Sequence, residues 1–350
     1  GGVVTLPSTL PDYVDLMDHC KVDLGDLVMG RNQSFGVASY VHDDRIFALG
    51  QDTILIKPKD CNSKFLYQII QSPLFQEQIN RLSSGSTFKR INLKDIRNLR
   101  VLAPSSDCQI KIAEVLGVWD ESIDLLEKLI GKTRSRKQGL MQQLLTGKKR
   151  FKEFESSEYS MVKLSEVAKI RRGASPRPIQ DPKWFAEKGR GWVRIRDVTA
   201  SNTYLIETTQ YLSNLAVEKS VKVDPGDLIM SICATIGVPR IVGIPACIHD
   251  GFVVFREFDK YIDKFFLYHY INLISAKISD SGQPGTQKNI NTTIVGNIEV
   301  PKFSLPEQEK IAAILSTADE EISTLEKQLA AYKQQKLGLM QQLLTGRIRI

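Results

Sequence analysis

Four histidines (His19, His42, His249, His269) and five cysteines (Cys20, Cys61, Cys108, Cys233, Cys247) are the side chains best suited to nucleophilic, acid–base or metal chemistry, and their spacing supports none of it. There is no CxxC pair and no His–Cys cluster with zinc-ligand spacing. HExxH, GxSxG and GxxxxGK[ST] are all missing. No glycine-rich strand-to-helix turn with a downstream acid points to a nucleotide or methyl-donor cofactor. His249-Asp250 reads as a polar turn between buried strands, with a catalytic pair as the other reading.

Binding chemistry is better represented. "GSTFKRIN" (85–92) and "GQPGTQKNIN" (282–291) each combine glycine amides, hydroxyls, a lysine, and amide or guanidinium side chains. Lys89, Arg90 and Asn92 in the first, and Thr286, Gln287, Lys288, Asn289 and Asn291 in the second, suit phosphate contact through Lys and backbone N–H. Their Asn, Gln and Arg side chains suit base edges. The plainer reading of either loop is a polar surface turn; recurrence at matching places favours binding. "IRRGASPRP" (170–178) adds Arg171, Arg172 and Arg177. "GWVRIRDVT" (191–199) places Arg194 and Arg196 at alternate positions, which on a strand puts both on one face. A solvated sheet edge is the alternative.

The chain has 350 residues and a net charge of +7, compatible with an acidic partner without demanding one. Residues 151–305 hold 20 Lys/Arg against 17 Asp/Glu, so specific contacts must count for more than bulk charge. An odd, unspaced set of cysteines suggests reduced thiols and a cytoplasmic setting. "GGVVTLPSTLP" shows no secretion signal. The most apolar stretch, Leu228 to Phe255, is broken by Pro239, Arg240, Pro245, His249 and Asp250, which predicts buried strands rather than a membrane span.

The elements that must position these loops are written twice. "GLMQQLLTG" occurs at 139–147 and 338–346, and "QIKIAEVLGVWDESIDLLEKL" (109–129) matches "QEKIAAILSTADEEISTLEKQ" (308–328) at the same offset of 199. "VDLGDLVMG" (22–30) pairs with "VDPGDLIMS" (223–231) at 201. Two copies of one domain-plus-helix unit follow. Ile112, Val115, Leu116, Trp119, Ile123, Leu126, Leu129 and Ile130 form one apolar stripe at helical spacing. Ile311, Ile314, Leu315, Ala318, Ile322, Leu325 and Leu329 form the other. About 40 residues give roughly 60 Å per helix, with Pro306 in a first turn and Gly147 and Gly346 as stops. Short Val/Ile/Phe-rich runs between them predict β-rich α/β domains, with helices at "KFLYQIIQSPLFQEQI" (64–79) and "DKFFLYHYINLIS" (263–275). The expected order is a mixed α/β chain: domain 1–105, long helix 106–147, domain 148–305, long helix 306–346. Helices are nearly shared while domain interiors differ, as expected of one scaffold carrying two different readers.

This text resembles the specificity subunits of type I restriction–modification systems, above all in "EQEKIAAIL", "GDLIMS…ATIG", "SGQPGTQKNIN…IEVP" and the doubled "GLMQQLLTG". The resemblance covers essentially the whole chain. It implies two target-recognition domains, each reading half of a split double-stranded DNA sequence. The two long helices would pack antiparallel as a spacer, giving an internal pseudo-two-fold repeat with Ile112, Leu116, Trp119, Ile123 and Leu126 facing Ile311, Leu315, Ala318, Ile322 and Leu325. Two methyltransferase subunits would dock along it and bring S-adenosylmethionine, and motor-nuclease subunits would join for restriction. The chain itself would hold no cofactor, metal or catalytic residue.

One departure concerns the start. About 60 residues of the second domain precede "VDPGDLIM", but 21 precede "VDLGDLVM". The counterpart of "VKLSEVAKIRRGASPRP…GWVRIRDVT" is missing; the expectation is that roughly 40 opening residues are absent, with a shortened first domain as the other reading. A coiled-coil adaptor with two protein-binding domains is the rival reading. It parts from the first on whether the two loops share a face with Arg171 and Arg194.

Overall fold

The structure, a computed structural model, describes residues 21–31, 36–42, 49–50, 52–83, 92–280 and 289–350. The chain forms two compact units, Gly1–Lys128 with Lys327–Ile350, and Leu129–Glu326. The boundary crosses both long helices, Ser106–Leu144 and Leu305–Leu343, so each unit holds the first part of one and the last part of the other.

In the first unit, β1 (Leu27–Gly30), β2 (Ala38–Tyr40) and β3 (Thr53–Ile56) form an antiparallel sheet in the order β2-β1-β3. Leu27, Met29, Ala38 and Ile54 are buried and cluster with Phe65, Ile69, Phe75 and Ile79, and with Ile112, Leu116, Met340 and Leu343 of the long helices. The stretch 64–79, expected as one helix, is two: Ser63–Gln71 and Pro73–Ser83. Ser72 makes the break, its hydroxyl donating to the Ile69 carbonyl and accepting from the Phe75 N–H. Pro73 has no N–H to lose at a first helical position.

The second unit carries β4 (Ser160–Lys163), β5 (Lys169–Arg172), β6 (Phe185–Ala186), β7 (Arg190–Val193), β8 (Tyr204–Leu205), β9 (Tyr211–Leu212), β10 (Val221–Val223), β11 (Leu228–Ser231), β12 (Pro239–Val242), β13 (Ala246–Ile248), β14 (Phe252–Arg256) and β15 (Glu299–Lys302). They form two five-stranded sheets, β10-β13-β7-β9-β6 and β5-β14-β11-β12-β8, and a β15-β4 pair. Along β11 and β14, Leu228, Met230, Val253 and Phe255 join the cluster that includes the helix Lys264–Asp280 and the long helices. The alternate Ile229, Phe252 and Val254 pack with Val193, Val223 and Ile248 of the other sheet. Both faces are therefore buried, which is why this stretch reads as a continuous apolar run. β14-β11-β12 repeats the order β3-β1-β2 of the first unit.

Each long helix ends at a glycine with positive φ, Gly147 (+70°) and Gly346 (+73°). Their N–H groups return to Leu144 and Leu343, while Lys149 and Ile348 donate to Gln143 and Gln342, satisfying carbonyls that the helix leaves open. Within each unit the helices pair antiparallel. In the first, Trp119 meets Tyr332 edge to face at 5.5 Å, and Asp120 and Glu127 pair with Lys336 and Lys333. In the second, Arg134, Arg136 and Lys137 pair with Glu326, Glu321 and Asp319.

Ile112, Leu116, Ile130, Ile311, Leu315 and Ala318 are buried, and Trp119, Ile123, Leu126, Ile322 and Leu325 half-buried. Val115 and Leu129, expected in the stripe, are instead exposed. One row of buried and half-buried positions runs in alternating steps of four and three, 112, 116, 119, 123, 126, 130, 133 and 137, with 113, 117, 120 and 122 covered beside it. That row has the spacing of a heptad seam, and 115 and 129 fall outside it. The second helix repeats it at 311, 315, 318, 322, 325, 329, 332 and 336. Among the described residues no helix is long and apolar enough to cross a membrane.

Candidate nucleic-acid interface

In the second unit strand register brings several basic side chains to one turn. β13 and β7 run parallel with Ile248 beside Val193, so the residues that follow them, His249 and Arg194, leave the sheet together. β14 and β5 run antiparallel with Val253 beside Arg172, and the Gly173 N–H donates to the Phe252 carbonyl. Between β13 and β14 the turn His249–Gly251 thus has the end of β7 on one side and the end of β5 on the other. Asn289 forms a β-bridge with Cys233, whose thiol contacts the Gly251 carbonyl at 3.7 Å. The approach is close. A Cβ on Gly173 would lie 2.0 Å from the His249 carbonyl oxygen, and one on Gly251 would lie 2.3 Å from Cys233 Sγ.

Asp250 organises the turn. Its carboxylate accepts from Ser175 Oγ at 2.8 Å and from the Arg177 guanidinium at 3.0 Å, and its main-chain carbonyl accepts from Arg172 Nε at 2.8 Å. Burial alone would raise its pKa, but the hydrogen bonds from Ser175 and from its own backbone, with the charge of Arg177, hold it below the usual carboxylate value. His249 is lowered to about 4, chiefly by burial, with the nearby Arg194 charge adding to the effect. Its Nδ1 accepts from the Gly251 N–H at 2.8 Å, so the neutral ring carries its proton on Nε2. Its neighbours are the Trp192 and Phe252 rings. The pair is a polar turn, and His249 is held neutral. Burial also pushes the Cys247 thiol up to about 11, away from nucleophile chemistry.

Arg194 and Arg196 do not alternate along a strand as expected. β7 ends at Val193 and the chain turns into the helix Ile195–Ala200. Asp197, at the third helical position, accepts from the Arg194 N–H at 2.8 Å and caps that helix, which outweighs the period-two pattern. Arg194 Nε donates to Gln210 and Arg196 Nε to Thr209. Arg171 is exposed on β5. Asn291 caps the helix Thr292–Gly296, accepting from the Ile294 N–H at 2.9 Å, and Asn92 holds the equivalent position before Leu93–Arg97 with its side chain exposed. Lys89, Arg90, Thr286, Gln287 and Lys288 lie outside the described residues. The geometry therefore gathers Arg172, Arg194 and Asn289 around one turn, with Arg171 next in sequence. Arg177, named with the arginines of "IRRGASPRP", belongs to the same surface, as do Ser175, Gln210 and Asp250, which the sequence does not single out for contact.

In each unit one buried glutamine, not singled out in the sequence, ties the start of a shorter helix to the long helix. Gln308 accepts from the Asp263 N–H and donates to the Tyr261 and Phe303 carbonyls. Gln109 accepts from the Asn62 N–H and donates to the Pro104 carbonyl. Asp263 and Asn62 in turn cap the helices that begin at Lys264 and Ser63. The duplicated "QIKIA" and "QEKIA" was the available signal. Beside Gln308, the wholly buried Glu307 takes two hydrogen bonds from Arg150, which raises the Arg150 pKa. Among the described residues no group of three or more His, Cys, Asp or Glu could hold a metal ion.

A three-stranded sheet in one unit and its counterpart order in the other, each joined to one of two duplicated long helices, define a class of internally repeated proteins. The pattern of the type I restriction modification DNA specificity domain matches residues 2–132 and 156–332, and the chain belongs to that family as a specificity subunit. It is 25% identical over 331 residues to a putative type I restriction enzyme MjaX specificity subunit of Methanocaldococcus jannaschii, covering 90% of this chain and 75% of that one. The MjaVIII specificity subunit of the same organism is 25% identical over 306 residues, covering 81% and 70%. The crystal structure of a type I restriction-modification S subunit from M. genitalium has the same fold, with a TM-score of 0.64 at 20% identity over 93% of this chain and 84% of that one.

Proposed function

We propose that this subunit reads a bipartite double-stranded DNA target, one half-site per recognition domain, and that the paired helices set the spacing and dock two methyltransferase subunits. Motor-nuclease subunits join the assembly for restriction. Adenine methylation takes place on the methyltransferase subunits, which bring S-adenosylmethionine; this sequence has no glycine-rich turn with a downstream acid to hold it. The subunit itself contributes recognition and no catalytic residue, and it works in the cytoplasm where the DNA is.

The observation that carries this reading is the doubling of one domain-plus-helix unit within a family of DNA specificity domains. The convergence of Arg172, Arg194 and Asn289 on the Asp250 turn supports it over an adaptor role. The test is to map methylated adenines in cells that express the methyltransferase partner with and without this chain. A two-part motif with a fixed unspecified gap, present only with the chain, is expected. An unchanged methylation map would favour the adaptor reading.

A further inference from the structure

We propose that Arg177 reads a guanine in the half-site of the second domain, and that Asp250 is the positioning residue that holds it for the purpose. This rests on the DNA-reading function above and adds the base and the residue pair.

Arg177 stands between Pro176 and Pro178, whose rings restrict the backbone on both sides. Its side chain is 70% exposed, yet one Nη2 donor is held by Asp250 Oδ2 at 3.0 Å. Asp250 is itself fixed by Ser175 Oγ on its other oxygen and by Arg172 on its carbonyl. The strand crossing beneath tolerates no side chain at Gly173 or Gly251. An exposed ion pair of this kind adds little to stability. What it does is orient a planar fork, leaving the other donors of Arg177 free to face outward. Two N–H donors in one plane match the O6 and N7 acceptors of guanine in the major groove, whereas a phosphate makes no such demand on orientation. Arg171, paired through its backbone on the adjoining strand but with its side chain exposed and unpaired among the described residues, has the looser arrangement that suits phosphate.

The experiment uses the full chain in complex with its methyltransferase partner. Once the methylated motif is known, equilibrium binding is measured on duplexes carrying each base-pair change in the second domain's half-site, at several salt concentrations. Wild type is expected to lose about 5- to 150-fold at one G·C pair on its replacement. Arg177→Ala and Arg177→Lys should both erase discrimination at that pair alone, with the salt slope unchanged. Asp250→Asn should erase part of the same discrimination at an unchanged melting temperature. Any of three outcomes overturns the proposal. One is uniform weakening of all duplexes by Arg177→Ala, rescued by Lys, with a salt slope lower by about one. The second is retained discrimination at every G·C pair, and the third is a half-site without one. If wild type itself shows no base-pair dependence, the DNA-reading function fails instead.

Discussion

His269 and Gln68 occupy matching places in the two units and serve matching ion pairs. Gln68 donates to Asp120 at 2.6 Å, and Asp120 accepts from the buried Lys336. His269 is fully buried beside Asp319, which pairs with Lys137, but its Nδ1 stays 3.9 Å from the carboxylate and has no partner among the described residues. Burial, aided by the Lys137 charge, lowers its pKa to about 3. An unfolded histidine titrates near 6.5. As pH falls from there toward 3, the unfolded chain takes up a proton the folded chain refuses, so stability is lost by up to about 1.4 kcal/mol per pH unit. Above pH 6.5 the residue adds no pH dependence. His249, lowered to about 4, acts in the same direction. His269→Gln should copy the Gln68 contact and remove one proton's worth of slope between pH 6 and 4. Denaturant unfolding across that range measures it, and an unaltered slope would contradict the assignment.

At the scale of elements, the long helices were legible because they depend on local pattern. Their periodicity, Pro306 in the first turn and the terminal glycines are all written in the sequence. Seam width was less legible. Val115 and Leu129 satisfy a helical period, yet only the partner helix decides which of two adjacent apolar rows is covered. The turn from β7 into the helix Ile195–Ala200 was missed for a similar reason: Asp197 is one short-range capping contact set against a longer alternation. Convergence of Arg172, Arg194 and Asn289 was not legible at all, since it follows from pairings between strands far apart in sequence. The helices also carry glycines that packing does not require. A Cβ at Gly139 or Gly338 meets nothing within 4 Å. Each change to alanine should raise stability by about 0.5–1 kcal/mol in thermal unfolding, and a loss at either site would show that the surface is more constrained than it looks.

For the whole molecule, the proposed spacer role of the helices has a calculable response. Four residues added to both long helices at matching seam positions make a tolerated stutter and lengthen each by about 6 Å. With base pairs about 3.4 Å apart, the gap between half-sites should grow by about two base pairs, both half-sites unchanged. An unaltered gap would mean that the recognition domains, not the helices, set it.

Modular reading is the central claim, and an exchange tests it most directly. Residues 151–305 are replaced by the matching domain of a relative with a different target, and methylated adenines are sequenced across the genome. One half of the motif should be replaced while the other half and the gap stay as they were. A change in both halves together would contradict it.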